Sequence, residues 1–229
     1  MNKQNQLVKI VLPENGWDVY QYNYMFDFVD RIYISTIQNN ILMSDVLNWD
    51  NKIINHSLAG DIAMEIYPVL NNDKLSVVKE ELKHHLENIH QSKIDDIDLG
   101  CVTYEGKIEP ELKEFWVNKQ KPTEYNPIHL HSGIYSFVYY LSVPEEIRQE
   151  HMSQKGTSVT RGLIQFLSSR TKSQLVFNPE KGNIFIFDSS HRHQVYPFYS
   201  DAVRISVAGN VHGIKFSDGN ILGNFYEVL

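Results

Sequence analysis

From residue 97 onward the chain is a succession of short segments rich in β-branched and aromatic residues: LGCVTY, EFWVNKQ, NPIHLH, YSFVYYLSV, GLIQFLSS, SQLVFN, NIFIFDS, HQVYPFY and AVRISVAGNV. Turn-forming clusters such as HSG, NPEKG and YSDA punctuate them. Segments this short, each bounded by residues that reverse the chain, suit strands that bury a face against one another. Many of them at regular spacing predict an antiparallel sandwich or barrel.

The N-terminal third is less regular. Tyr20, Tyr22, Tyr24, Phe26 and Phe28 recur at period two, which favours a strand with a core-facing aromatic stripe. The following DRIYISTIQNN reads equally as helix or strand. Residues 73–91 are the clearest helix, with Leu75, Val78, Leu82, Leu86 and Ile89 on one face and Asn72 or Asp73 able to cap its start. His84, His85 and His90 lie on or beside that helix without a carboxylate–histidine pattern, and read as solvent-facing. No Pro/Gly-rich linker divides the chain. We expect one domain over 1–229, mainly β with a helical N-terminal portion (α+β): a helix-bearing part, about 1–96, packed on a β core, about 97–229.

Composition narrows the function classes. A net charge of −7 with no Lys/Arg run disfavours generic nucleic-acid binding, which draws its affinity from neutralised phosphates. The single cysteine, Cys101, can form neither an intrachain disulfide nor a thiolate zinc site, and reads as a small buried hydrophobe. No apolar run has the length of a signal-peptide core or a membrane span, so the expected compartment is a reducing cytoplasm, bacterial or that of a phage-infected host. A homo-oligomer stays open.

Two histidine pairs carry the chemistry. His129 and His131 form one H-x-H; His191 and His193 form another some sixty residues later. On a strand, residues i and i+2 share a face, so each pair can aim two imidazoles at one point, and a barrel can bring distant strands together. Imidazole suits iron, copper, nickel and zinc alike.

The surroundings of the pairs are more specific. WVNKQKPTEYNPIHLHSGIYSFVYYLSVP and GNIFIFDSSHRHQVYPFYSDAVRISVAGN contain N-P-x-H-x-H-x-G before an apolar strand. They continue with G-x-(apolar)-F, a short turn, H-x-V-x-P, R-x-S and a closing Asn. Over 115–210 the chain resembles the 2-oxoglutarate–iron(II) oxygenases of phage and marine bacteria, relatives of the prolyl hydroxylases. HSLAGDI at 56–62 resembles a less specific element of the same family. The resemblance implies a double-stranded β-helix, a jelly-roll or cupin-like barrel with metal at its mouth. It implies iron(II), 2-oxoglutarate and dioxygen as cofactor and co-substrates, and hydroxylation of a peptide or small molecule. His129 would start the metal motif and His193 would be the distal ligand. Arg204 would bind the distal carboxylate of 2-oxoglutarate, with Ser206 in support on the same strand face. A guanidinium fork matches a carboxylate bidentately, which agrees.

One position departs from the superfamily pattern of two histidines and a carboxylate. The expected H-x-D/E reads H-L-H, so His131 occupies the acid's place. His129, His131 and His193 form the best ligand and catalytic set. Alternatives are an acid ligand from Asp188 or Glu124, or a His131 that stands outside the coordination sphere. His191 falls in a turn and reads as exposed or behind the ligands. Tyr139 and Tyr140 are both candidates for lining the pocket, Tyr139 beside the co-substrate, but as strand neighbours only one of them can face it. Two other classes compete: a cupin-type dioxygenase with a multi-histidine site that does not use 2-oxoglutarate, and a non-catalytic metal- or ligand-binding barrel. The cupin glutamate is missing after H-x-H, where Ser132, Gly133, Ile134 and Tyr135 follow.

Overall fold

The computed structural model describes residues 8–11, 31–36, 52–53, 59–67, 80, 82–84, 86, 108–156, 159–167, 174–216 and 221–223. The aromatic stripe of 17–28, most of the helix over 73–91, His85, His90 and Cys101 lie outside them. The strands are β1 (Val8–Val11), β2 (Arg31–Thr36), β3 (Lys52–Ile53), β4 (Glu65–Tyr67), β5 (Ile108–Gln120), β6 (Asn126–His129), β7 (Tyr135–Ser142), β8 (Ile164–Leu167), β9 (Gln174–Phe177), β10 (Asn183–Asp188), β11 (Arg192–Val195), β12 (Arg204–Phe216) and β13 (Ile221–Gly223). A helix, Glu145–Ser153, separates β7 from β8.

Among the described residues the chain is mainly β, and its strands form two antiparallel sheets. The larger runs β1-β2-β10-β7-β12-β5-β4-β3, with β13 beside β12; the smaller runs β6-β11-β8-β9. The N-terminal third therefore lengthens the large sheet: the ambiguous DRIYISTIQNN supplies β2, which pairs β1 on one side and β10 on the other. It also supplies helical residues at 80, 82–84 and 86.

Strand β7 sits mid-sheet and is buried on both faces, so it reads as an apolar run. Its odd residues, Tyr135, Phe137, Tyr139 and Leu141, join a core with Leu82 and Leu86, the expected buried face of the helix. His84 on that segment is exposed, as expected. The even residues, Val138 and Tyr140, turn to the opposite face and meet Ile164 and Phe166 of the small sheet. A cleft opens between the two sheets on this second face. No helix among the described residues is long and apolar enough to cross a membrane.

Candidate metal centre

Three elements deliver the histidines. His129 ends β6, directly opposite His193 on β11. His131 follows in the turn to β7, and the His131 amide donates to the Ser189 carbonyl at 3.0 Å. Gly133 makes that turn feasible: its φ is +96°, and a Cβ there would come within 2.7 Å of the Val211 carbonyl oxygen. Asn210, the closing Asn of the motif, clamps the same turn. Its Oδ1 accepts from Ser136 Oγ at 2.9 Å and its Nδ2 donates to Ser132 Oγ at 3.5 Å.

The ligand atoms of His129, His131 and His193 all lie within 4.8 Å of one another. His131 Nε2 and His193 Nε2 stand 3.2 Å apart. Two nitrogens bound at right angles to one ion at about 2.1 Å would be separated by roughly 3 Å, so the spacing fits neighbouring ligand positions. Two tautomers are fixed by acceptors. His129 Nδ1 faces the Pro127 carbonyl at 2.7 Å, and His193 Nδ1 faces the His191 carbonyl at 3.1 Å. A carbonyl only accepts, so each ring proton sits on Nδ1 and each Nε2 presents its lone pair to the cluster. Burial lowers the pKa of all three rings, that of His131 to about 3 with the His129 charge adding to the effect. The rings are therefore neutral, the form that binds metal. Phe166 stacks on His193 with centroids 5.7 Å apart, Phe187 meets it edge-on at 4.6 Å, and Trp116 flanks His131 at 5.6 Å. The donor set and its tautomers fit a divalent ion.

Neither alternative acid joins the cluster. Glu124 uses its carboxylate on the amides of Ala63 and Lys121 at 3.1 and 2.8 Å. Asp188, the last residue of β10, is not among the described groups whose ligand atoms converge. His191 is buried rather than exposed: its ring packs edge-on against Phe166 and its carbonyl orients His193.

The cleft opens to solvent and is lined by the three histidines, by Arg204 and Ser206 of β12, and by Tyr140. The lining tyrosine is Tyr140, not Tyr139: strand parity sends Tyr139 into the core on the far face. The Tyr140 hydroxyl is buried with no hydrogen-bond partner among the described residues. Arg204 is 1% exposed. Its Nε and Nη2 donate to Gln120 Oε1 at 3.1 and 2.6 Å, and its Nη1 donates to the Gly162 carbonyl. Its Cζ lies 5.5 Å from the Tyr140 ring centroid and 5.6 Å from that of Phe198. All of these partners are neutral. Ser206, two residues on and facing the same way, accepts from Asn118 Nδ2 at 3.5 Å. Ile62, in the segment HSLAGDI, also lines the cleft, and Asp61 beside it bridges Tyr125.

The residues that sequence reasoning missed are Gln120, Asn118 and the Gly162 carbonyl. Gln120 and Asn118 sit at period two in EFWVNKQ, so their shared face was readable, but their place opposite Arg204 and Ser206 depends on the β5–β12 register.

Residues 114–210 match the family model described as "Putative 2OG-Fe(II) oxygenase". A comparison with curated proteins returns no match. Among solved structures, an oxidoreductase of the 2OG-Fe(II) oxygenase family from Burkholderia pseudomallei is 12% identical, with 90% of this chain and 72% of that one covered and a TM-score of 0.38. A prolyl-4-hydroxylase from Pseudomonas putida is 13% identical, covering 70% and 76%, with a TM-score of 0.39. A Trichoplax adhaerens prolyl hydroxylase, in complex with a hypoxia inducible factor oxygen degradation domain peptide fragment, is 16% identical, covering 81% and 82%, with a TM-score of 0.44. The segment that holds the histidine cluster, the buried arginine and the serine beside it is the segment by which this chain matches the 2OG-Fe(II) oxygenases.

Proposed function

We propose that this protein is a non-haem iron(II)- and 2-oxoglutarate-dependent dioxygenase, an oxidoreductase that couples oxidative decarboxylation of 2-oxoglutarate to oxidation of a C–H bond in a peptide or small-molecule substrate. The observation that carries the reading is one cleft holding both a three-imidazole cluster and a buried guanidinium whose described partners are all neutral. A buried charge without an opposite charge is costly, and an incoming anion removes that cost. The family match over 114–210 supports the same assignment. On this reading the two sheets are the halves of a double-stranded β-helix, and 1–229 is one domain.

His129, His131 and His193 would hold the iron. When bound, iron(II) supplies dioxygen activation and the oxidative chemistry that converts 2-oxoglutarate to succinate and carbon dioxide. The protein's own groups bind, orient and exclude. Arg204 offers its unused N–H groups to the distal carboxylate, which it can meet as a fork. Tyr140 donates its hydroxyl to the same end; burial raises its pKa, so the proton is there to donate. Ser206 adds a hydroxyl from two residues along the strand. Phe166 and Phe187 fix the His193 ring and keep water from that side. Three neutral imidazoles leave the centre more positive than two with a carboxylate, which strengthens attraction for a dianionic keto acid.

Anaerobic titration with iron(II) and 2-oxoglutarate tests the reading. The expected result is a weak visible charge-transfer band. Iron binding without the band would favour a cupin-type site, and no metal binding a scaffold. Arg204→Ala should cut succinate formation at least tenfold; turnover near the wild-type rate would count against the anchor.

A further inference from the structure

We propose that Gln120 is a specificity-determining positioning residue: an amide, standing where an acid would neutralise Arg204, holds the guanidinium while leaving its charge to the anionic end of the co-substrate. The inference rests on the reading of Arg204 as the carboxylate anchor.

Gln120 ends β5 directly opposite Arg204, the first residue of β12. A buried guanidinium opposite an extended side chain is the setting in which a carboxylate ordinarily gives a bidentate ion pair. Here one amide oxygen takes both contacts, from Nε at 3.1 Å and Nη2 at 2.6 Å. The other end of the amide explains why an acid does not stand there. Gln120 Nε2 donates to the Glu124 carbonyl at 2.5 Å and to the Tyr196 carbonyl at 3.4 Å. A carboxylate would set its second oxygen against two carbonyl oxygens, whereas an amide satisfies all of these partners in one orientation. The same contacts exclude the flipped amide, which would turn its N–H groups toward a cation.

Among the described residues, no acid bonds to Arg204 in its place. Two described carboxylates pair with other arginines, Glu180 with Arg148 and Glu150 with Arg161. Glu124, four residues after Gln120, spends its carboxylate on the backbone amides of Ala63 and Lys121. The third contact of Arg204 is the Gly162 carbonyl, again neutral. The guanidinium is thus held by three hydrogen bonds in a fixed pose with its full charge unspent. An anion entering the cleft meets a pre-oriented donor and does not have to displace a carboxylate. A keto acid that ends in a methyl group gains nothing from it.

The test compares two ligands that differ only at that end, 2-oxoglutarate and 2-oxopentanoate, by calorimetry with the iron(II)-loaded protein under anaerobic conditions. Wild type should prefer 2-oxoglutarate by at least tenfold. Gln120→Glu should lower 2-oxoglutarate affinity at least tenfold and leave 2-oxopentanoate within about twofold, so that the preference collapses. A general structural defect would weaken both ligands together. An unchanged preference in Gln120→Glu would overturn the proposal, as would an equal loss for both ligands. If that variant does not fold, Gln120→Met decides, since it removes the hold without adding charge: 2-oxoglutarate affinity should fall at least threefold with 2-oxopentanoate unaffected, and wild-type affinities would overturn the proposal. Arg204→Ala separates the two readings. Preference retained there removes the anchor itself; preference lost there but kept in Gln120→Glu removes only the role of Gln120.

Discussion

Two imidazoles in this cluster have their protons assigned by main-chain carbonyls, and a fourth histidine, His191, supplies one of those carbonyls while its ring stays outside the cluster. The pattern H-x-H is thus used asymmetrically. In the first pair both rings enter the site; in the second, His193 enters and His191 orients it. Glu65 on β4 shows a different use of burial. Desolvation, with the Glu124 charge adding to it, raises its pKa from 4.5 to about 7. Between these values the folded protein holds a proton that the unfolded chain has released. The stability contribution is complete below about pH 4.5 and is lost as pH rises through about 7. Glu65→Gln should therefore flatten the decline in melting temperature between pH 5 and pH 8; an equally steep decline in the variant would refute the assignment. At this scale the sequence was most legible where types and spacing sufficed, as for the histidine motifs and R-x-S. It did not distinguish Tyr139 from Tyr140, because parity along β7 shows which residues share a face but not which face meets the cleft. Gln120 was illegible for another reason: its meaning lies in a partner eighty-four positions away.

Elements place these residues through a few constrained turns. Gly162 adopts φ +73°, and a Cβ there would lie 2.6 Å from Ile147 Cγ2 on the helix Glu145–Ser153. Its carbonyl is also the third support of Arg204. Gly162→Ala combines left-handed strain with overpacking and should cost about 2–4 kcal/mol of stability, read by urea denaturation. A loss below about 1 kcal/mol would show that the helix yields easily. The same helix holds the segment after β11: Glu150 accepts from the amides of Tyr199 at 3.1 and 2.9 Å and of Ser200 at 2.7 Å. Strand segments from 114 onward were readable because turn residues bracket each one. DRIYISTIQNN was not, since a short apolar run carries too few periods to separate helix from strand, and its pairing with β1 and β10 decides the matter.

For the whole molecule, the cleft joins two sheets whose membership could not be read from the chain. Which strands pair is a long-range choice, and β6 and β7, adjacent in sequence, end up in different sheets. An ion held by β6, β11 and the turn before β7 would tie those sheets together. Saturating iron(II) at about a hundredfold over its Kd should stabilise the fold by about 2.7 kcal/mol, seen as a rise in melting temperature that a chelator reverses. His193→Ala should abolish the rise; if it persists, the ion binds elsewhere.

Strand β6 is one of the two edge strands of the small sheet, and Ile128 and Leu130, on either side of His129, are 54% and 52% exposed. Such an apolar border can attract other chains, although Pro127 within it has no N–H to offer and its carbonyl is taken by His129. Keeping His129 engaged anchors the border to its neighbour. If His129 holds iron, metal supply would then act on solubility as well as on chemistry: without the ion, this apolar border would be held only by its pairing with β11.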